Sequence, residues 1–551
     1  MSDIHIINKN LTVHHIFFMR NKLHIFLVFT ILHFFGIVSA QINRPRLVIG
    51  IMVDGLKQKH IDELWNTFDD NGFKRLIKDG ANFRNMQYNI VSAGNASDVA
   101  NVMTGSIPFY NGITGNLNFD RKTGNVQSIL QDENQIGIGT LQTLSAHNLQ
   151  SSTVADELKL AYPEKSKTYA IAIHPENAIM LGGHTANGVS WIDDINLKWI
   201  TTGYFTEGLS RSADEMNVNG EFKNIASRKW EPMYPLRSYW SSKMLGTKAT
   251  DFNYNPTDKR TKRSLETLLN TSPSANTLIA ELGLKILTNE NLGADNYPDM
   301  LMLQFTVRTP KEKLNSLIST EKEDMYIRLD REIQNLMYKV NQKLGIENVL
   351  YFMFSNQTDA YSPIELGENK IPAGYFSANR SMALLNSYLM ALYGQEKWVD
   401  SYFGKNIYLN KSKIEERKLN FREVQRVVCD FMLDFEGVQA AYIPSDLITM
   451  GGNDNSEKVR IRNSIHKNNV GDVIVSLMPG WLELDEKYGF IGESGAVMTH
   501  MPFYMYGCKI KPQVVDKSYL TIDIAPTLSR ILNIPFPNAS IGKVMEEIVN
   551  Q

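Results

Sequence analysis

Residues 89–116 (NIVSAGNASDVANVMTGSIPFYNGITGN) join a strand end, a turn and a short helix. Ile90 and Val91 end a predicted strand, and Asn95 stands where a helix N-cap belongs, before an apolar stripe that includes Val99 and Val102. A strand-to-helix turn of this kind points the cap side chain and several backbone N–H groups at one spot. The segment therefore predicts a turn whose geometry suits an anion.

The second half of this stretch, TGSIPFYNGITGN, resembles the alkaline phosphatase superfamily. It is similar in particular to the periplasmic, monomeric, two-zinc, phosphate-irrepressible branch, which is type I phosphodiesterase/nucleotide pyrophosphatase-like. In that family the preceding turn reads Thr-Ala-Pro-Gly-His, and its Thr is the nucleophile. Here positions 95–99 read NASDV, so the resemblance places Asn95 at the nucleophile position. An amide oxygen has no proton to lose and attacks phosphorus poorly.

The resemblance also assigns the protein ligands of the two zinc ions to positions of this chain. These positions hold Asp54, Thr309, Lys313, Asn356, Gln357 and Ile491. Asp54 ends a buried apolar strand (residues 46–55) and is the one family ligand retained; a one-residue slip in the alignment would put Arg308 in place of Thr309. Zinc prefers imidazole, thiolate or carboxylate ligands, so the sequence predicts that no zinc is bound and no cofactor is needed.

The substrate-binding positions differ from the family as well. The family holds substrate oxygens with a Lys and an Arg, and the matching positions here are His174 and Glu176. A carboxylate at the place of a guanidinium would repel a phosphate. His184 matches a family histidine with a structural role, and His500 matches one that does not bind metal. We interpret His174 and His184 as structural.

The histidine inventory agrees with this interpretation. Five of the eleven histidines lie before residue 41, and none of the other six follows a strand at ligand spacing with a carboxylate. A dinuclear site is a carboxylate cluster that the metal charge makes tolerable, so neutral residues become favourable once the metal is lost. Lys313 or Arg308 would then place a cation near Asp54, and Asp54→Ala would cost stability.

The periodicity along the chain places these residues on an α/β scaffold. Buried-strand patterns occur at residues 46–55, 168–173, 300–307 and 348–354, with amphipathic helices between them. With the resemblance, this predicts a three-layer alkaline-phosphatase-like fold: a mostly parallel central sheet, helices on both faces, and a small α+β insertion subdomain. The predicted core is residues 41–370 and 447–551, with residues 371–446 as the insertion and the strand at 472–477 back in the main sheet.

The N-terminus has the layout of a cleavable signal peptide over residues 1–40. Arg20 and Lys22 precede an apolar run from residue 25 to 35, and small residues lead up to Ala40. Met19 is an alternative start of translation. No later segment is long enough to span a membrane, so we expect a periplasmic or secreted protein without a membrane span after cleavage. The alternative is an uncleaved N-terminal anchor.

Composition excludes few function classes. The chain of 551 residues has a net charge of −2 with both signs interspersed, so nucleic acid is not expected as a partner. Cys429 and Cys508 are the only two cysteines, and the sequence leaves open whether they pair.

These observations predict a catalytically degenerate pseudoenzyme, a pseudophosphatase with a hydrolase fold. Its role would be to bind, scaffold or regulate an unknown protein or envelope partner. The alternative is an active metal-dependent phosphomonoesterase or phosphodiesterase with a rearranged site, in which Ser97 or Ser92 is the nucleophile and Asp54, Asp98 and Asp359 hold zinc. A third interpretation, metal-free chemistry in the same cleft, lacks a His–Ser–Asp or paired-carboxylate spacing.

Overall fold

The fold is known from a computed structural model. It describes residues 44–92, 94–245, 252–255, 265–309, 318–356, 363–368, 370–452, 454–485, 490–492 and 499–549. The signal peptide expected at residues 1–40 lies outside these ranges. Within them, no helix has the length and apolar character needed to cross a bilayer.

The strands of the described residues include one at each of the four buried runs predicted at residues 46–55, 168–173, 300–307 and 348–354. They are β1 Leu47–Asp54, β2 Ala81–Phe83, β3 Met86–Gln87, β4 Leu117–Asp120, β5 Asn125–Ser128, β6 Gly137–Ile138, β7 Thr168–Ala172, β8 Gly188–Asp193, β9 Lys198–Thr202, β10 Asp299–Thr306, β11 Val349–Ser355, β12 Gly374–Ser377, β13 Val399–Phe403, β14 Asn406–Leu409, β15 Val438–Tyr442, β16 Val473–Leu477, β17 Trp481–Asp485, β18 Phe490–Gly492, β19 Phe503–Gly507, β20 Gln513–Val515 and β21 Tyr519–Leu520.

The α-helices of the same residues fall mostly between these strands. They are α1 Gln58–Glu63, α2 Phe73–Lys78, α3 Asn95–Thr104, α4 Pro108–Asn111, α5 Val154–Ala161, α6 Pro175–Gly182, α7 Arg211–Val218, α8 Glu221–Ala226, α9 Trp240–Leu245, α10 Leu265–Asn270, α11 Pro273–Asn289, α12 Thr320–Leu344, α13 Pro363–Glu368, α14 Ala378–Tyr393, α15 Lys411–Glu416, α16 Phe421–Met432, α17 Pro444–Thr449, α18 Glu457–Asn463, α19 Ile524–Leu532 and α20 Glu546–Val549.

A ten-stranded sheet forms the centre, in the order β20-β2-β19-β11-β1-β10-β7-β8-β9-β6. Its middle strands run parallel: β1 pairs with β10 and β11, and β10 pairs with β7. All eight residues of β1 are buried, because helices cover both faces of the sheet. The predicted mostly parallel sheet with helices on two faces is confirmed.

Two hydrophobic cores lie on opposite faces of this sheet, and alternate residues of β1 serve each of them. Val48 and Met52 join the core that contains α3 and α19. Ile49 and Ile51 join the core that contains α11 and α12. This alternation fixes the register of β1 and therefore the position of Asp54 at its carboxyl end.

A third core belongs to a smaller four-stranded sheet, in the order β13-β14-β16-β15, covered by α14 and α16. The prediction that residues 472–477 return to the main sheet is wrong, since β16 pairs with β14 and β15. An apolar run indicates burial but does not say in which sheet. We call this sheet with α14 and α16 the small subdomain; the domain boundaries proposed above stay a prediction.

Candidate active site

Three neighbouring parallel strands end at one edge of the main sheet. β1 delivers Asp54 there, β11 delivers Asn356 one residue after its end, and β10 leads into Arg308. The register aligns Asp54 with Thr306 and Val53 with Ser355, so the three chain ends lie side by side. Open α/β sheets bind ligands outside the carboxyl ends of their strands, so this edge is the candidate site.

Asn356 bonds to both Asp54 and Asn95, the positions that the family resemblance assigns to a metal ligand and to the nucleophile. Its Nδ2 donates to Asp54 Oδ1 (2.7 Å) and to Asn95 Oδ1 (2.7 Å). Its Oδ1 accepts from the backbone N–H of Gly55 (3.0 Å). With only 3% of Asn356 exposed, its amide is fixed by these bonds, and both amide hydrogens have an acceptor.

Arg308 supplies the positive charge at this edge. Its Nε donates to Asp54 Oδ1 (2.9 Å), and the Asp54 side chain is only 5% exposed while that of Arg308 is 25% exposed. A buried carboxylate needs a charged partner, and here a guanidinium provides it. The expectation of a cation near Asp54 is met by Arg308; Lys313 lies outside the described residues.

The helix that presents Asn95 begins differently from the prediction. Asn95 is the first residue of α3 rather than its cap; the cap position is Gly94, at φ +125° and without a side-chain cap. The capping acceptor is instead Asn116 Oδ1, which accepts from the N–H of Ala96 (2.8 Å). One of the backbone donors expected to suit an anion is therefore already bonded.

Gly94 and Asn116 fit each other closely. A Cβ at position 94 would lie 2.5 Å from Asn116 Cγ, so only glycine allows the amide to reach the first turn of α3. The capping role of Asn116 was not predicted, because Asn116 lies 20 residues after Ala96, whose N–H it accepts. The only sequence feature that pointed to it is that Asn116 ends the NGITGN segment of the family resemblance.

The structure describes the other positions assigned to metal ligands only in part. Thr309 is buried, 4% exposed, on the segment after β10. Gln357 lies outside the described residues, and of Ile491 only the backbone is described, in β18 of the three-stranded sheet β12-β17-β18. None of these side chains is a zinc ligand by type.

His174 and Glu176 lie at the start of α6, after the carboxyl end of β7. β7 is two strands from β1 in the sheet order, so both residues are at the same edge as Asp54. His174 occupies the N-cap position without a side-chain cap bond, and Glu176 is in the first turn. A carboxylate suits the positive end of a helix but opposes phosphate binding at this place.

The residues of a rearranged phosphatase site are only partly suited to chemistry. Ser97 is fully buried, and its Oγ donates to the carbonyl of Gly94 (2.8 Å). Ser92 Oγ accepts from the N–H of Gly94 (3.3 Å). Asp98 is buried beside Tyr88, whose pKa is raised by burial and by that carboxylate, and Asp359 lies outside the described residues.

Several histidines have structural partners. His184 Nδ1 is 2.9 Å from Tyr204 Oη and its Nε2 is 3.2 Å from the carbonyl of Ser151, as the structural interpretation predicts. His500 Nε2 is 3.2 Å from Gln87 Nε2. Within the described ranges, no three His, Cys, Asp or Glu side chains gather closely enough to hold a metal ion. Among the described residues, the side chains that bond to Asp54 are the Asn356 amide and the Arg308 guanidinium, and neither fits the zinc that the fold family implies.

The fold and the strand-end site define an alkaline-phosphatase-like protein. A crystal structure of wild-type alkaline phosphatase PafA superposes with a TM-score of 0.80 at 24% identity, over 92% of this chain and 99% of the other. The family described as type I phosphodiesterase/nucleotide pyrophosphatase matches residues 48–489. The chain therefore belongs to that family, within the alkaline phosphatase superfamily.

Sequence relatives cover almost the whole chain. Alkaline phosphatase PafA of Elizabethkingia meningoseptica is 26% identical over 94% of this chain and 97% of its own length. Alkaline phosphatase PhoV of Synechococcus elongatus is 26% identical over 93% and 94%. A protein of Myroides odoratus named calcium-transporting ATPase is 27% identical over 94% and 96%.

Proposed function

We propose that this protein is a catalytically degenerate member of the superfamily that binds, scaffolds or regulates a partner without metal. The bonds of Asp54 carry the proposal. One oxygen of the single retained family ligand accepts from both the Asn356 amide and the Arg308 guanidinium. Zinc at that oxygen would have to displace a buried ion pair and would find amides where it needs imidazole or carboxylate.

The nucleophile position supports the same proposal. Asn95 holds the first place of α3, and its Oδ1 accepts from Asn356. An amide there offers no oxygen that can be deprotonated, so no phosphoryl-enzyme can form at this residue. The leader-like residues 1–40 support export, and we propose a periplasmic or secreted location.

The alternative function is an active metal-dependent phosphomonoesterase or phosphodiesterase. It is favoured by the names of PafA and PhoV, two relatives called alkaline phosphatases. It would require a buried serine as the nucleophile. Ser97 is fully buried and donates to the Gly94 carbonyl, and Ser92 Oγ accepts from the N–H of Gly94.

Hydrolysis of aryl phosphate mono- and diesters with added zinc separates the two functions. For the purified protein we expect no zinc-dependent turnover, with PafA assayed in parallel as the positive control. Asn95→Thr alone should stay inactive, because it restores the nucleophile but not the metal ligands. Zinc-dependent turnover that Ser97→Ala or Asp54→Ala abolishes would overturn the proposal.

A further inference from the structure

The β4–β5 hairpin projects from the segment that forms the candidate site. It pairs only with itself among the described residues, as a two-stranded sheet separate from the main sheet. Its ladder runs from Leu117 opposite Ser128 to Asp120 opposite Asn125. The hairpin follows Asn116 directly, so its base begins at the residue that caps α3.

The base of the hairpin is tied to the first turn of α3. Asn116 Oδ1 accepts from the N–H of Ala96 (2.8 Å), and the Asn116 carbonyl accepts from the N–H of Ile129 after β5 (2.9 Å). A side-chain acceptor at a helix N-terminus stabilises the first turn. The position of Asn95, the first residue of that turn, thus depends on the hairpin base.

The tip of the hairpin is set into the small subdomain. The Arg121 guanidinium forms an ion pair with Asp472, whose side chain is 5% exposed. The same guanidinium lies 5.3 Å from the ring centroid of Tyr408, and the Phe119 ring lies 4.4 Å from that ring. Tyr408 belongs to β14 and Asp472 immediately precedes β16, two paired strands of the small sheet.

The anchor at the tip is stronger than a surface ion pair. Asp472 Oδ2 also accepts from the N–H of Leu409 (2.8 Å), and its Oδ1 faces Lys411 Nζ at 3.1 Å. A buried carboxylate that accepts from the backbone and pairs with a stacked guanidinium is held in one geometry. Movement of β14 and β16 must therefore carry the hairpin tip with it.

A second contact holds the other end of the site segment. Asn463 Nδ2 at the end of α18 donates to the carbonyl of Asn89 (2.8 Å), and Ser464 Oγ accepts from the N–H of Val91 (2.8 Å). The chain between residues 89 and 116 is thus fastened before α3 by the segment leading to β16 and after it by the hairpin.

We infer that the β4–β5 hairpin couples the small subdomain to the candidate site, with Arg121 and Asn116 as positioning residues at its two ends. This coupling rests on the proposed function for the role of the site: a displacement of β14 and β16 changes the first turn of α3. The connecting contacts are continuous: they run from Asp472 through Arg121 and the β4–β5 ladder to Asn116 and the first turn of α3.

Hydrogen–deuterium exchange of the full-length mature protein tests the coupling. In Arg121→Ala we expect exchange in a peptide covering residues 94–104 to rise several-fold, while peptides from β1 and α11 keep wild-type rates. The matched control is Arg422→Ala. It removes the exposed Arg422–Asp446 ion pair and leaves the contacts of the hairpin intact. The control should leave residues 94–104 unchanged.

Two further variants keep the test decisive. Asn116→Ala should raise exchange at residues 94–104 without changing β14, and Arg121→Lys should restore part of the protection because it keeps the charge. A change in Arg121→Ala confined to the hairpin and the small subdomain would overturn the coupling, as would a uniform rise across the whole core. Zinc-dependent turnover would overturn the proposed function while leaving this exchange result unaffected.

Discussion

The Asp54 carboxylate is bonded to a guanidinium and to an amide. Arg308 balances the carboxylate at 2.9 Å, and Asn356 donates to the same oxygen at 2.7 Å. The sequence predicted a cation near Asp54, because a buried carboxylate without a metal would otherwise be unbalanced. It did not decide between Arg308 and Lys313, since alignment alone does not show which side chain reaches back to β1.

Removal of either partner should destabilise the protein. We expect Arg308→Gln to lower the free energy of unfolding by about 2 kcal/mol, less than for a fully buried pair because Arg308 is partly exposed. Asp54→Ala should also lower it, and the double variant should show a coupling energy of about 1 kcal/mol in urea unfolding.

The control for this cycle is the exposed pair Arg211–Glu215, with an Nε to Oε1 distance of 2.7 Å and side chains 81% and 41% exposed. Its coupling energy should be close to zero. An Asp54–Arg308 coupling no larger than that of the control, or an Asp54→Ala variant as stable as the wild type, would contradict the account.

At the scale of elements, the buried strands could be predicted from the sequence. The contacts that hold irregular surface segments against the helices could not. The sequence of residues 217–263 shows no clear helix or strand periodicity, yet Trp230 and Tyr239 in this region bond to a buried acid at the start of α12. Asp324 accepts from Trp230 Nε1 (2.7 Å) and Tyr239 Oη (2.5 Å). Charged residues at a helix start normally indicate solvent, so the pattern could not reveal this contact.

The contact between α1 and α12 gives a pH prediction. His60 is buried with its Nδ1 3.3 Å from Tyr326 Oη, and burial, with nearby lysines, lowers its pKa to about 3. The unfolded chain takes up this proton near pH 6.5, so the folded state should lose stability as the pH falls from about 6.5 towards 3, by up to about 5 kcal/mol.

Two buried acids act in the opposite direction. Burial raises the pKa of Asp299 and of Asp330 to about 6, so their contribution to stability increases as the pH falls from about 6 towards 4. Wild type and His60→Gln share the contribution of Asp299 and Asp330, so it cancels when the two proteins are compared. Urea unfolding between pH 7.5 and 4.5 should show a smaller acid loss in His60→Gln, whereas His147→Gln, at an exposed site, should follow the wild type. Equal acid losses in wild type and His60→Gln would refute the assignment.

At the scale of the whole molecule, the α/β class and the layered core followed from apolar runs and from a resemblance that spans nearly the whole mature chain. The distribution of strands between sheets did not, as β16 shows. Local patterns report burial and length, whereas sheet membership depends on partners distant in sequence. For the same reason the hairpin that joins the main fold to the small subdomain was not foreseen.

We expect residues 1–40 to direct export of the whole chain. A fusion of these residues to a reporter enzyme active only outside the cytoplasm should give an active, shortened product that begins at Gln41. Replacing Arg20 and Lys22 with Glu should reduce export, because signal peptides need a positive start. A reporter retained in the cytoplasm with its leader intact would contradict the proposed location.

We propose that an ion pair with Arg308 and the amide of Asn356 fill the position at Asp54 where the family binds metal. Anomalous diffraction at the zinc edge, from crystals grown with excess zinc, tests it most directly. We expect no anomalous peak within bonding distance of Asp54, and electron density that shows the Arg308 side chain in contact with the Asp54 carboxylate. A peak bound by Asp54 together with imidazole or carboxylate groups would contradict it.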